Sequence, residues 1–173
     1  MPCVLTQGYN LDCKDSFGGV KAIYLIERAN VLSITETAGT ATVIAKVATK
    51  LFYKYNIEAN VGEGDENLST NKANATFMVK QAVKFPLNKM TVAVRNEILL
   101  LAQNRLYIVV EDNNGSAYLY GRDFGMSLMS ASAKTGVAGL DRNGYELAFE
   151  SDEKTFAVFL SAAALTSLTV AGV

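Results

Sequence analysis

The chain has 173 residues, half of them apolar and only 19% charged, with a formal net charge of -1. That length fits one domain, residues 1–173, whose core needs no metal or disulfide support. With no histidine and two cysteines, histidine-based nucleophilic triads and the usual zinc ligand sets are excluded.

Long Lys/Arg runs are absent, so nothing recommends a high-affinity nucleic-acid surface. So little charge is less than a small monomer usually carries for solubility, and it suits large subunit contacts. Cys3 and Cys13 are read as free thiols in a reducing compartment, with a disulfide across this short segment as the alternative. The first residues are neither basic nor continuously apolar, which makes a poor signal peptide. Residues 160–173 are apolar but too short to span a membrane, so no membrane insertion is expected.

In chain order, residues 1–14 are expected to form an extended arm or an irregular first strand, and Gly18-Gly19 a turn. Residues 20–26 carry apolar groups on both faces and predict a strand covered on each side. Residues 30–35 and 41–47 are further strand candidates. Residues 52–61, with Phe52, Tyr53, Tyr55 and Ile57, predict another. The polar segment 62–67 is expected to be a loop. Residues 74–85 alternate again and are expected to pair antiparallel with 52–61.

Pro86 is expected to end that strand, after which the period changes. Met90, Val94, Ile98 and Leu101 recur at three or four residues, predicting a helix over 89–102 with Asn88 as its N-cap. Val92, Leu99 and Leu100 widen the apolar stripe, so a helix covered on more than one side is expected. Residues 106–110 and 117–120 flank Asp112-Asn113-Asn114-Gly115-Ser116, which predicts an antiparallel hairpin. Residues 127–139 are rich in small side chains and are expected to form an exposed excursion. A turn at 141–144 feeds a strand at 145–149. Residues 151–154 are expected to separate it from 155–160, and 161–173 to form a short helix and strand or a docking tail. The expected fold is mainly β, a β-sandwich or partly closed β-barrel with one flanking α-helix.

No catalytic constellation emerges, and no cofactor loop is found. Ser130 and Lys134 lie together in the small-residue segment without the features of a nucleophile–base pair. The acidic pairs Asp65/Glu66 and Asp152/Glu153 lack the spacing of a calcium loop and read as solvated turns. Tyr107, Tyr118, Tyr120 and Tyr145 offer a stacking surface for bases or sugars, though their strand pattern favours packing. Arg122, Asp123 and Arg142 flank the small-residue excursion. There they either fix register at a subunit boundary or make modest surface ion pairs.

Three phrases, LDCKDSFGGVK at 11–21, AYLYG at 117–121 and DRNGYEL at 141–147, resemble small virion proteins of tailed phages and related prophages of the Bacteroidetes group. Within that group the chain is most similar to tail-tube proteins. The resemblance implies a β-sandwich or partly closed barrel with a flanking helix, assembling as stacked hexameric rings around a genome-delivery channel. It implies a ring-forming homo-oligomer, contacts with other virion proteins, and non-specific contact with packaged DNA. It places the protein in the virion tail, and in the host cytoplasm before assembly. Asp65 and Glu66, in a 62–72 loop reaching the next ring, then join Arg122, Asp123 and Arg142 as candidate assembly contacts. Residues 1–19 and 161–173 are expected at subunit contacts. Two alternatives stay open: a capsid-decoration or head-fibre-base protein, and a soluble carbohydrate-binding or recognition module.

Overall fold

The computed structural model describes residues 7–10, 14–58 and 61–169. Cys3, Cys13 and the outermost parts of the two terminal segments lie outside those residues. The central hairpin forms as its sequence predicts. β7 (Leu106–Asp112) and β8 (Ala117–Tyr120) pair antiparallel from Ile108↔Tyr120 to Glu111↔Ala117. Asp112 shapes the turn, its Oδ1 accepting from the amides of Asn114 and Ser116. Gly115 takes φ +85°, which costs a glycine nothing.

β1 (Val20–Glu27) lies antiparallel against β7 and is buried on both faces. Ile23 and Leu25 join one apolar cluster, while Ala22, Tyr24 and Ile26 join another. A bulge between Val20 and Ala22 turns Val20 toward the first cluster. On β7 the buried Glu111 accepts from Tyr24 Oη (2.8 Å) and Lys21 Nζ (2.6 Å). Burial alone would push its carboxyl up, but these partners outweigh it and hold the group below the usual range.

The remaining elements are β2 (Val31–Thr37), β3 (Thr40–Lys46), β4 (Tyr53–Asn56), β5 (Glu63–Asn71), β6 (Thr76–Asn88), α1 (Val92–Gln103), β9 (Ser127–Lys134), β10 (Gly144–Glu153), β11 (Val158–Leu160) and α2 (Ala162–Ser167). They build two sheets, a seven-stranded one ordered β2-β3-β11-β8-β7-β1-β4 and a four-stranded one ordered β5-β6-β10-β9. The larger sheet is the middle layer. One face packs on the smaller sheet and α1, through residues such as Val83, Phe85, Phe149, Ile98 and Leu101. The other packs on Phe52, Leu168 and the α2 side chain Leu165. Neither sheet closes on itself, so the fold is a β-sandwich with a flanking helix rather than a barrel.

Several expected boundaries move. Residues 62–67, expected to be a loop, belong to β5, which pairs with β6 from Glu63↔Lys84 to Asn71↔Thr76. β5 is an edge strand with little burial, so its sequence needs no apolar alternation. The 52–61 strand shrinks to β4 and pairs with β1, not with β6, because β5 occupies that position. Pro86 does not end β6, which continues to Asn88 opposite Gly144. β5 pairs with β6 only as far as Lys84, which leaves β6 a free side where proline is tolerated. With Asn88 still in the strand, Thr91 is the N-cap of α1, its hydroxyl accepting from Val94 N at 3.2 Å. Part of the 127–139 excursion is β9, and β10 runs through the expected separator to Glu153.

Candidate functional site

Among the described residues, no strand pairs with either edge of the smaller sheet. β5 and β9 are its outermost strands, nine and eight residues long, and neither contains proline. β5 bears Glu63, Asp65 and Glu66 and no base, whereas β9 bears Lys134 and no acid. Every neighbouring pair within this sheet is antiparallel. With an even number of alternating strands, a second copy placed head-to-tail would present its β5 antiparallel to β9, the more stable pairing.

The β5–β6 hairpin runs past the rest of the sheet. The last β10 rung is Glu153↔Val79, while β5 and β6 stay paired out to Asn71↔Thr76. Leu68 lies opposite the buried Val79, and Thr70 opposite Phe77, so this row continues the core-facing side of β6 into solvent. Phe77 is 63% exposed and Leu68 51%. A two-stranded ribbon with such side chains uncovered is marginal in water by itself.

α1 shows a second uncovered surface. Only Ile98 and Leu101 are buried on it, and Val94 packs against the same cluster. Val92, Leu99 and Leu100, expected to be covered on a further side, are 77%, 58% and 54% exposed. Nothing within the described chain takes them from water. Leu100 borders a cleft of about 470 Å³ between α1 and the edge strand β4, with Glu97, Asn104, Tyr53 and Tyr55. Arg95, on the other flank of the helix, donates from Nε to Tyr145 Oη of β10.

The predicted contact residues are not gathered at one place. Arg122 Nε lies 2.7 Å from Glu36 Oε1, a Coulombic contact whose N–H is not aligned as a hydrogen bond. Asp123 is held through its backbone, its amide donating to Glu153 Oε2 (2.6 Å) and its carbonyl accepting from Arg28 Nη2 (3.0 Å). Arg142 pairs with Glu146 at 2.9 Å. Asp65 accepts from Asn67 Nδ2. Glu66 turns inward, accepting from Gln81 Nε2 and from the Ala157 amide. Burial pushes its carboxyl up, only partly offset by those two donors.

Two structural residues escape a reading by residue type. Gln81, 1% exposed, bridges Glu66, the Thr155 carbonyl and the Gly121 amide, tying β6 to both flanking segments. Glu153, 2% exposed, collects the Ser151 hydroxyl and the amides of Asp123 and Phe124. Extending the two-residue period of Tyr145, Leu147 and Phe149 through Ser151 reaches Glu153 and is the signal that finds it.

The solvent face of the smaller sheet is lined with charge in neutralising pairs. Lys84 meets Glu63 at 2.9 Å, Lys80 meets Glu150 at 2.7 Å, and Lys134 meets Glu146 at 2.7 Å. Arg142 shares Glu146 with Lys134 and so offsets one of the two remaining acids, Asp65 and Asp152. Of the four tyrosines considered for stacking, Tyr107, Tyr120 and Tyr145 are buried, and Tyr118 packs on Phe159 at 4.8 Å between ring centroids. No family model matches the chain, nor does any curated protein or solved structure.

Proposed function

We propose that the chain is a self-assembling structural subunit, and that it forms stacked rings of a phage tail tube through the open edges of its four-stranded sheet. The observation that carries this is the pair of free edges, β5 and β9, in one sheet. They have similar length, opposite charge and a strand direction suited to head-to-tail joining. Pairing β5 with β5 would oppose like charges, which disfavours an isologous dimer. Heterologous joining instead generates a ring if the rotation closes.

Strands about 4.8 Å apart make four of them roughly 19 Å wide. Six copies, the number the family resemblance implies, give a cylinder of about 115 Å circumference and about 37 Å diameter before strand tilt widens it. The solvent face of the sheet would line that channel. Its ion pairs cancel most of the charge and Arg142 offsets one of its two further acids, so DNA would pass without a strongly basic surface to hold it. The burial of three of the four tyrosines weighs against a carbohydrate site built on stacking.

Negative-stain electron microscopy and solution mass over a range of concentrations test this reading. Rings with a central hole, or tubes, are the expected result. Binding only to assembled phage shells would favour capsid decoration instead. A pair of variants isolates the edge. Successive strand amides point to opposite sides, so one of Ala131→Pro and Ser132→Pro removes only an outward amide. That variant should keep its circular dichroism spectrum and lose its rings. If both variants assemble like the parent, the edge-joining reading fails.

A further inference from the structure

The uncovered row on α1 has a position that suggests what covers it. α1 begins just after Asn88, where β6 meets the Gly144 end of β10, and its C-cap Asn104 lies one residue before Arg105, whose Nη1 donates to the Phe124 carbonyl near the start of β9. The helix therefore runs alongside the β9 edge. Its two flanks are distinguishable: Glu97, Leu100 and Asn104 border β4, while Arg95 reaches Tyr145 of the smaller sheet. At 100° per residue, Leu99 and Val92 fall between Arg95 and the outermost line of the helix. They overlook the side on which β9 lacks a partner.

We infer that this row is a docking surface for a second copy of the same chain, specifically for the core-facing side of its β5–β6 hairpin at Leu68 and Phe77. The inference rests on the edge-joining reading and names what that joining covers. A copy whose β5 extends β9 carries Leu68 on the face of the sheet that, in the first copy, looks toward α1. Charge agrees with this occupant, since β5 bears acids and no base and β9 bears Lys134 and no acid, with Lys134 and Glu63 already paired inside the subunit to Glu146 and Lys84. Size supports it too. Joining eight residues along one strand edge falls short of the roughly 800 Å² per partner of a stable interface. Apolar contacts beside the strand supply the rest. The exposed Leu99 on α1 and the exposed leucine and phenylalanine on the hairpin thus cover one another.

The test uses the full chain in a Cys3→Ser/Cys13→Ser background. Chains carrying only Leu68→Cys are mixed with chains carrying only Leu99→Cys, allowed to assemble and oxidised. A disulfide-linked heterodimer between the two is expected, and neither variant alone should give that product. In separate chains, Leu99→Asp or Leu68→Asp should raise the concentration for half-assembly at least about tenfold, the scale of one lost leucine contact. The circular dichroism spectrum should not change, since both side chains are exposed in the subunit. Intact rings with neither the cross-link nor the Asp effect would overturn this inference and leave edge joining standing. Absence of rings from the parent chain at every concentration would overturn both.

Discussion

Strand β7 buries every residue from Leu106 to Glu111, whereas β5 leaves all its residues but Glu66 open to solvent. Both belong to sheets of the same sandwich, and both pair antiparallel with their neighbours. β7 is fixed by what its side chains bury, and β5 by the backbone of β6. The larger sheet thus holds its strands through buried side chains, whereas the edge of the smaller one keeps its side chains in solvent.

The largest test of that contrast sets two phenylalanines against each other. Phe149, fully buried and stacked on Phe85 at 5.8 Å, should cost about 3–5 kcal/mol of unfolding free energy when changed to Ala. Phe77→Ala, at the exposed hairpin, should change it by less than about 0.5 kcal/mol. Urea denaturation of both variants measures the difference, and equal losses would end the distinction between the two regions.

Next in size is Glu111, the acid inside the larger sheet. Glu111→Ala strips the Tyr24 hydroxyl of its acceptor and should cost about 1–3 kcal/mol at neutral pH. Because the folded carboxyl is held below its usual range, its contribution is present above the unfolded value. It is lost as pH falls through the depressed one. The unfolding midpoint of the parent should therefore drop more steeply in acid than that of Glu111→Gln.

Glu66, the inward acid of β5, has the opposite sign. Its folded carboxyl is raised, so its favourable contribution exists below the ordinary carboxylate value and is lost as pH rises through the raised one. Glu66→Gln keeps an acceptor for Gln81 and Ala157 and removes a half-buried charge. At neutral pH its melting temperature should rise by no more than about 2 °C, allowing for solvent screening, and the gain should vanish in acid. The smallest expected effect belongs to the exposed pair Lys134–Glu146, where Lys134→Ala should leave thermal melting unchanged.

The same contrast explains what could be read beforehand. The β7–β8 hairpin was legible because apolar runs flank a turn whose Asp112 and Gly115 have definite conformational uses. β1 announced its two covered faces through alternation on both sides. β5 was invisible: EGDENLSTN has no apolar period, and its strand conformation comes from pairing with β6. β9 was obscured for a similar reason, its small residues lying mostly at the surface. For the candidate contacts, residue type marked Arg122 and Arg142 as charged boundary residues. It did not identify Glu36 or Glu146 as their partners, which long-range pairing and local strand geometry decide. The exposed Leu99 was noticed as apolar, but its lack of a cover inside the subunit is a three-dimensional fact.

The larger sheet also has a timetable. Among the described residues, its β2–β3 hairpin is hydrogen-bonded to the rest of the sheet through β11, three residues long, which runs parallel to β3 at Thr40 and antiparallel to β8 at Tyr118. Phe159 thus closes a loop back to a strand made more than a hundred residues earlier, a contact of high sequence separation and slow formation. On the ribosome, a nascent chain that has not yet reached Val158 lacks the strand that hydrogen-bonds β3 to β8. Docking of the β11 keystone comes late, so the subunit completes its fold only when nearly all of this sequence has been synthesised.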